Sequence, residues 1–140
     1  MKSGYHAILD GIARGNGIGG PTALAEILAE SLIECDGLDV GDVTRRYLDW
    51  WRSDAFDTGP TFARVFTCID EGMEPASAVG EAHRALDGMP AGCSPAYRNS
   101  VLAACSHIPT DDLLSVAREE ALITHFDPIA GDAATVVTLL

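Results

Sequence analysis

Apolar residues recur at three- and four-residue steps along most of the chain, and this spacing constrains the fold more than any other feature. Residues three and four apart share one face of an α-helix, so each apolar stripe marks a helix that packs on a core. In the stretch after Pro21 the stripe consists of Leu24, Ile27, Leu28, Ser31 and Leu32. No strand-like alternation of four or more residues stands out. The sequence therefore predicts an all-α fold, a multi-helix orthogonal bundle that forms one domain over residues 1–140.

Capping residues, prolines and glycines predict the helix boundaries. Pro21 suits a first helical turn, where its missing N–H group would be unpaired anyway, and Asp39 and Thr110 suit N-cap positions. These signals predict helices over residues 5–14, 21–35, 40–51, 60–71, 75–86 and 96–105, one helix after Thr110 and a last one after Pro128. Residues 87–95 are predicted to form a loop because they are rich in Gly and Pro.

The last predicted helix carries an apolar stripe, and the sequence shows no further segment that would pack on it. Its members are Ile129, Ala133, Val136, Val137 and Leu140, and the chain ends without a glycine cap, a basic last turn or a polar tail. We expect either a fold that is incomplete at the C-terminus or a partner on this face, including a second copy of the chain. A last helix docked on its own core is the alternative.

The charge balance argues against nucleic acid and anionic membrane as partners. The chain has 21 Asp and Glu against 9 Lys and Arg, which gives a formal net charge of −12. Both kinds of partner need clustered basic side chains that displace counterions from phosphates. The only lysine is Lys2, and the arginines are scattered. We expect neither a nucleic-acid nor a membrane partner.

The cysteines and the N-terminus favour the cytoplasm. The four cysteines lie too far apart for a Cys-x-x-Cys metal site, and the first residues lack the apolar segment of a secretory signal. No stretch approaches the roughly 18 apolar residues of a membrane-spanning helix. We therefore expect free thiols in a reducing compartment.

Two short motifs receive structural interpretations. Gly15, Gly17 and Gly20 fit the Gly-x-Gly-x-x-Gly pattern, but the dinucleotide fingerprint requires a preceding strand, and a helix is predicted there. A flexible helix–helix loop is the favoured interpretation. Thr110-Asp111-Asp112 resembles a metal-binding triplet, yet its position before a helix predicts a cap.

Two other loops have the composition of a ligand site. Residues 57–61 (Asp-Thr-Gly-Pro-Thr) set a carboxylate and two hydroxyls at a helix start, and residues 124–128 (Thr-His-Phe-Asp-Pro) set a histidine and a carboxylate at another. A helix start offers unpaired N–H groups to phosphates and hydroxyls. Helix capping alone is the alternative for the first loop.

In order and spacing, these loops and two further segments resemble the ADP-ribosylglycohydrolase family, which includes the hydrolase acting on ADP-ribosylated dinitrogen reductase. The segments that carry the resemblance are Ala25 to Leu32, Tyr47 to Trp51 with Asp57 to Thr61, Gly92 to Leu102 with Arg98, and Ala121 to Ala130. The last one matches the family's Thr-His-x-x-Pro-x-Ala helix start and is the most specific.

The resemblance implies an all-helical hydrolase that cleaves the glycosidic bond between ADP-ribose and a modified acceptor. ADP-ribose or an ADP-ribosylated protein would then be the partner, and Asp57 the catalytic residue. The implied substrate-binding residues are Thr58, Gly59, Thr61, Gly92, Ser94, Arg98 and His125. A catalytically inactive helical module that binds ADP-ribose or a protein partner is the alternative.

The family usually carries two magnesium ions, and the corresponding ligands are not found in this sequence. Gly19-Gly20-Pro21-Thr22 occupies the place of the family's Thr-Asp-Asp-Thr motif, so both carboxylates are missing. The second family motif, Asp-x-Asp-Thr, does not occur. The cofactor therefore stays unknown, and the sequence predicts no metal-binding residue.

Overall fold

The computed structural model describes residues 2–88 and 92–140, and the side chains of residues 4–88 and 92–140. These residues form eight α-helices and two short 3₁₀ helices, with no strand among them, which confirms the all-α prediction. The α-helices are α1 (Lys2–Asn16), α2 (Gly20–Glu34), α3 (Val40–Ser53), α4 (Gly59–Asp70), α5 (Pro75–Ala85), α6 (Ser94–Arg98), α7 (Leu113–Ala121) and α8 (Pro128–Leu139). The 3₁₀ helices are Asn99–Ala104 and Thr110–Asp112.

Helices α2 to α5 begin and end within two residues of their predicted bounds. At the start of α3, the Asp39 carboxylate accepts a hydrogen bond of 2.9 Å from the backbone N–H of Asp42, as its N-cap position predicts. Pro21, Pro60 and Pro75 each lie in the first turn of their helix. Local signals were therefore sufficient for this half of the chain.

The helix predicted over residues 96–105 is instead α6 followed by a 3₁₀ helix. The change occurs at Asn99, which is tied to two neighbouring elements. Its side-chain amide donates to the carbonyl oxygen of Ala117 at 2.8 Å, and its own carbonyl oxygen accepts from the Thr138 hydroxyl at 3.3 Å. These contacts hold Asn99 against α7 and α8 at the point where the α-helix gives way to the 3₁₀ helix.

Thr110 does not cap the following helix, so that prediction is wrong. The residue opens the 3₁₀ helix Thr110–Asp112, and its side chain makes no capping hydrogen bond. The N–H groups that it would serve are already paired, because Asp112 donates to the carbonyl of Pro109 and Leu113 donates to that of Thr110. A 3₁₀ turn replaces the side-chain cap here.

Helix α8 leaves the predicted apolar stripe exposed and packs on the core through its opposite face. Its buried residues are Ala130, Gly131, Ala134, Thr135 and Thr138, whereas the predicted stripe of Ile129, Ala133, Val136, Val137 and Leu140 is exposed. Small side chains let α8 approach α6 and α7 closely, and a Cβ at Gly131 would meet Arg118 Cγ at 3.5 Å. The buried threonine hydroxyls donate to carbonyl groups of the preceding turn, so their burial leaves them paired.

An aromatic group joins α3 to α4 in the core. Tyr47 of α3 meets Phe62 and Phe66 of α4 edge-on, with ring centroids 5.9 and 6.2 Å apart, and all three are fully buried. Trp50 and Trp51 pack on Phe62 from the rim and are half-buried. The loop between α3 and α4, which carries Asp57, is therefore held at both ends by the core.

None of the helices in the described part of the chain is both long enough and apolar enough to cross a membrane.

Candidate functional site

A cavity of about 500 Å³ lies where α2, α4 and α6 begin, beside the segment that leads into α8. The predicted site residues that line it are Asp57, Thr58, Gly59, Thr61, Gly92, Ser94 and His125. The other lining residues are Pro21, Leu24, Pro60, Phe62, Leu86, Cys93 and Tyr97. The structure thus brings together seven of the eight residues, which come from three separate parts of the chain. Their roles in binding or catalysis stay predictions.

Asp57 and its neighbours, the Asp57 loop (residues 57–59), form one wall of this cleft. Asp57 is exposed and has a φ of +49°, and Gly59 has a φ of +71°. The left-handed region is unfavourable for most side chains, although Asp and Asn tolerate it better than others. Among the described residues, the Asp57 carboxylate makes no hydrogen bond or ion pair, so it is available to a ligand.

Two glycines at the start of α2 lie against the Asp57 loop. A Cβ at Gly20 would clash with the carbonyl oxygen of Asp57 and lie 2.5 Å from that of Phe56. A Cβ at Gly19 would lie 2.9 Å from Asp57 Oδ2. Only glycine permits the loop to lie this close to the helix start, so the Gly-Gly pair explains how the loop keeps its position.

His125 belongs to the opposite wall and is almost fully buried, with 2% of its surface exposed. Its Nδ1 atom lies 2.7 Å from the Thr124 hydroxyl oxygen. Burial, together with the charge of Arg98, lowers the pKa of His125 to about 3. A Cβ at Gly92 would lie 2.7 Å from its Nε2 atom, so Gly92 is needed for the loop to pass this ring. The imidazole is therefore neutral at physiological pH.

Arg98 is the one predicted site residue that does not line the cavity. It is fully buried, and its guanidinium donates to Glu120 Oε1 at 2.6 Å, to Thr124 Oγ1 at 2.8 Å and to Ser94 Oγ at 3.1 Å. Of these partners, Ser94 lines the cavity. Any influence of Arg98 on a ligand must pass through the residues that it holds.

Glu120 and Tyr47 are parts of the site's support that the sequence did not reveal. Glu120 is fully buried on α7, and its Oε1 atom also accepts a hydrogen bond of 3.0 Å from the Tyr47 hydroxyl. Burial and the Glu120 charge raise the pKa of Tyr47 well above its usual value. The helical spacing could have revealed the burial of Glu120, since it lies three residues after Ala117 and seven after Leu113, on the buried face of α7.

The fold and the cleft define an all-helical protein with a cavity in the size range of small-molecule sites, which is about 300–1,000 Å³. The sequence model of a family described as ADP-ribosylglycohydrolase matches residues 10–140, and the chain belongs to this family. Searches of the curated proteins and of the solved structures gave no match.

The residues present do not fit the magnesium ions that the family resemblance implies. At the place of the first metal motif, Gly19 and Gly20 have no side-chain donor, and the Thr22 hydroxyl donates to the carbonyl of Gly17 at 2.9 Å. Asp57 is the only carboxylate among the described residues that line the cavity, whereas Mg²⁺ favours several oxygen ligands in octahedral geometry. Over residues 2–88 and 92–140, no three His, Cys, Asp or Glu side chains are arranged to hold a metal, including Asp111 and Asp112.

Proposed function

We propose that the cleft binds the ADP-ribosyl group and that the protein hydrolyses the glycosidic bond between ADP-ribose and a modified acceptor. The observation that carries this proposal is the convergence of the Asp57 loop, Gly92, Ser94 and His125 on one cavity. Family membership supports the same chemistry. The cavity volume suits a nucleotide-sized molecule.

Hydrolysis requires an activated water beside the reacting sugar carbon. Glycosidic bonds break through an oxocarbenium-like transition state, and a carboxylate can orient the attacking water or a ribose hydroxyl. Asp57 is the carboxylate that the cavity offers for this role. The Asp57 loop lies against Gly19 and Gly20 and lines the cleft, so its carboxylate reaches the cleft without a large conformational change.

The diphosphate of the ligand needs donors that do not come from basic side chains. The starts of α2 and α4 border the cavity with the positive ends of their helix dipoles. Pro21 and Pro60 have no N–H group and the Thr22 N–H donates to the Gly19 carbonyl oxygen, so the dipoles, more than free N–H groups, favour an anion here. Thr58, Thr61 and Ser94 add hydroxyl groups to the lining of the cavity. These neutral donors support anion binding in a protein whose net charge is −12.

A catalytically inactive module that binds ADP-ribose is the second candidate. It is favoured because the described residues offer no fitting magnesium ligand set and a single carboxylate at the cavity. Binding without turnover would need the cavity donors but not an activated water. The two candidates therefore differ in what Asp57 does, and not in where the ligand lies.

The decisive experiment measures release of free ADP-ribose from peptides ADP-ribosylated on Arg or Ser, with magnesium and with EDTA. The hydrolase proposal expects release by the natural protein and a loss of at least about 100-fold in Asp57→Asn, since general acid–base groups contribute this much. Asn is the matched substitution because it tolerates the positive φ of this position.

Titration with ADP-ribose in a thermal-shift series separates the remaining outcomes. A raised melting temperature in both the natural protein and the Asp57→Asn variant, without product release, would identify the inactive module. A raised melting temperature with release confined to the natural protein supports the hydrolase. No shift and no release in either protein would contradict both candidates and the assignment of the cleft.

A further inference from the structure

A buried polar chain stands behind the cleft wall and ends at His125. Tyr47 and Arg98 both donate to Glu120, Arg98 also donates to Thr124, and the Thr124 hydroxyl meets His125 Nδ1 at 2.7 Å. The side chains of this chain other than His125 are fully buried, namely Tyr47, Arg98, Glu120 and Thr124. Because buried polar groups cost free energy unless they are paired, such a chain is expected to have one preferred arrangement of its protons.

The protons of this chain can be assigned from its donors. Arg98 has only donors, so Thr124 Oγ1 accepts from Arg98 Nη2 at 2.8 Å. The Thr124 proton then has two acceptors within reach, His125 Nδ1 at 2.7 Å and the Ala121 carbonyl oxygen at 3.5 Å. The distance to Nδ1 is optimal for a hydroxyl donor, whereas the distance to the Ala121 carbonyl oxygen is at the limit of a hydrogen bond. The Thr124 proton is therefore assigned to the bond with Nδ1.

From this arrangement we propose that Thr124 is a positioning residue that fixes His125 as the neutral Nε2–H tautomer, so that the cleft presents a hydrogen-bond donor to an oxygen of the ligand. The inference rests on the proposed ADP-ribosyl ligand for the identity of that oxygen, which is a ribose hydroxyl or a phosphate oxygen. Thr124 then positions the proton of His125, and Glu120 holds the Arg98 guanidinium that donates to Thr124.

The Nε2 atom lies on the side of the ring that faces the cavity. His125 lines the cavity, and the Gly92 position, which also lines it, is close enough that a Cβ there would be 2.7 Å from Nε2. Among the described residues, Nε2 has no hydrogen-bond partner. A nearly buried N–H group that faces a cavity without a partner is satisfied when a ligand supplies an acceptor.

The assigned tautomer restricts the chemistry of His125. With Nδ1 occupied by the Thr124 hydroxyl and Nε2 carrying the proton, the ring has no free lone pair toward the cleft, so it cannot accept a proton from water. The Arg98 guanidinium, 2.8 Å from Thr124 Oγ1, opposes a second proton on the ring. His125 therefore acts as a neutral donor, and proton abstraction is left to Asp57.

Nitrogen-15 NMR of the histidine side chains tests the proposal directly, because one-bond and long-range couplings report which ring nitrogen carries the proton. In the natural protein, we expect His125 to be the Nε2–H tautomer across the neutral and mildly acidic range. Thr124→Ser keeps the hydroxyl and should keep this tautomer. Thr124→Val removes the hydroxyl at similar volume, and we expect the Nδ1–H tautomer to appear.

Two results would overturn the proposal: an Nδ1–H tautomer in the natural protein, or an unchanged tautomer in folded Thr124→Val. The measurement on the natural protein and on Thr124→Ser decides the question even if Thr124→Val fails to fold. In a titration with ADP-ribose, we expect the Nε2 resonance to shift and Thr124→Val to bind about tenfold more weakly. If ADP-ribose does not bind the natural protein, the proposed function fails while the tautomer result still stands.

Discussion

On one side of the cleft, the Asp57 loop is exposed and is held by backbone contacts with two glycines, whereas on the other side His125 is buried and rests on an ion pair that is itself fully buried. The exposed wall carries Asp57, the proposed catalytic residue, and little of the core. The buried wall carries no group that is free to react, yet it joins α3, α6 and α7. Substitutions on the two walls should therefore separate activity from stability.

Glu120→Gln should have the largest effect on stability. It leaves the buried Arg98 guanidinium without its counter-charge, which typically costs about 3–5 kcal/mol of unfolding free energy. Urea denaturation monitored by circular dichroism measures the loss. The matched control is Asp132→Asn, which breaks the exposed Arg118–Asp132 pair and should cost about 1 kcal/mol or less. Similar losses in the two variants would show that the buried pair has no special role.

A fall in pH should destabilise the protein through His125 of the buried wall. The pKa of His125 is lowered to about 3 in the folded protein, while the unfolded chain takes up a proton near pH 6.5. The unfolded state therefore binds more protons between these values, and stability is full above about pH 6.5 and falls as the pH drops toward about 3. Linkage predicts a loss of roughly 2 kcal/mol between about pH 6.5 and about pH 4.5 from this group.

His125→Gln provides the control for this pH dependence, because Gln cannot titrate and keeps a donor and an acceptor. Unfolding free energies of both proteins are measured by urea denaturation from about pH 4.5 to about pH 7.5, the range that spans the unfolded pKa of His. The contributions of the other histidines cancel in the difference between the two curves. Parallel curves would mean that His125 takes up its proton at the same pH in the folded and unfolded chains.

Gly20→Ala should damage the exposed wall through its backbone. The added Cβ would clash with the carbonyl oxygens of Asp57 and Phe56, and overpacking of this kind costs about 1–3 kcal/mol. Because the clash moves the Asp57 loop, binding of ADP-ribose should weaken as well. Gly11→Ala in α1 is the control, since a Cβ there meets nothing within 4 Å and should stabilise by about 0.5–1 kcal/mol. A stabilising Gly20→Ala would rule out the tight contact.

The two walls also differ in how much of them the sequence could predict. The Asp57 loop was predicted because its signals are local: a carboxylate, two hydroxyls and a glycine at a helix start, in a segment that resembles the family. The partner of Arg98 lies 22 positions away, and Glu on a helix is usually a surface residue, so the pair was not found. The packing of α6 against α2 and α8 decides that Arg98 points inward.

Helix α8 shows the same limit for the fold. The apolar stripe with Ile129, Val136 and Leu140 is exposed, and the structure instead buries Gly131, Ala134 and neighbouring threonines. Close approach between helices rewards small side chains, and the threonine hydroxyls find acceptors within their own helix. Neither factor enters a hydrophobic pattern, so the pattern identified the helix and its apolar stripe but did not reveal which face packs on the core.

Asp57→Asn should have the smallest effect on stability, although it removes the proposed catalytic group. The side chain is exposed and makes no hydrogen bond with the described residues, and Asn tolerates the positive φ, so the change should stay within about 0.5 kcal/mol. Asp57→Val tests the backbone: a β-branched residue at this φ should cost about 1–3 kcal/mol. Equal stability of the Asn and Val variants in urea denaturation would show that the loop relaxes freely. The exposed wall would then lack a defined conformation, because a loop that relaxes freely cannot hold the Asp57 carboxylate in one place.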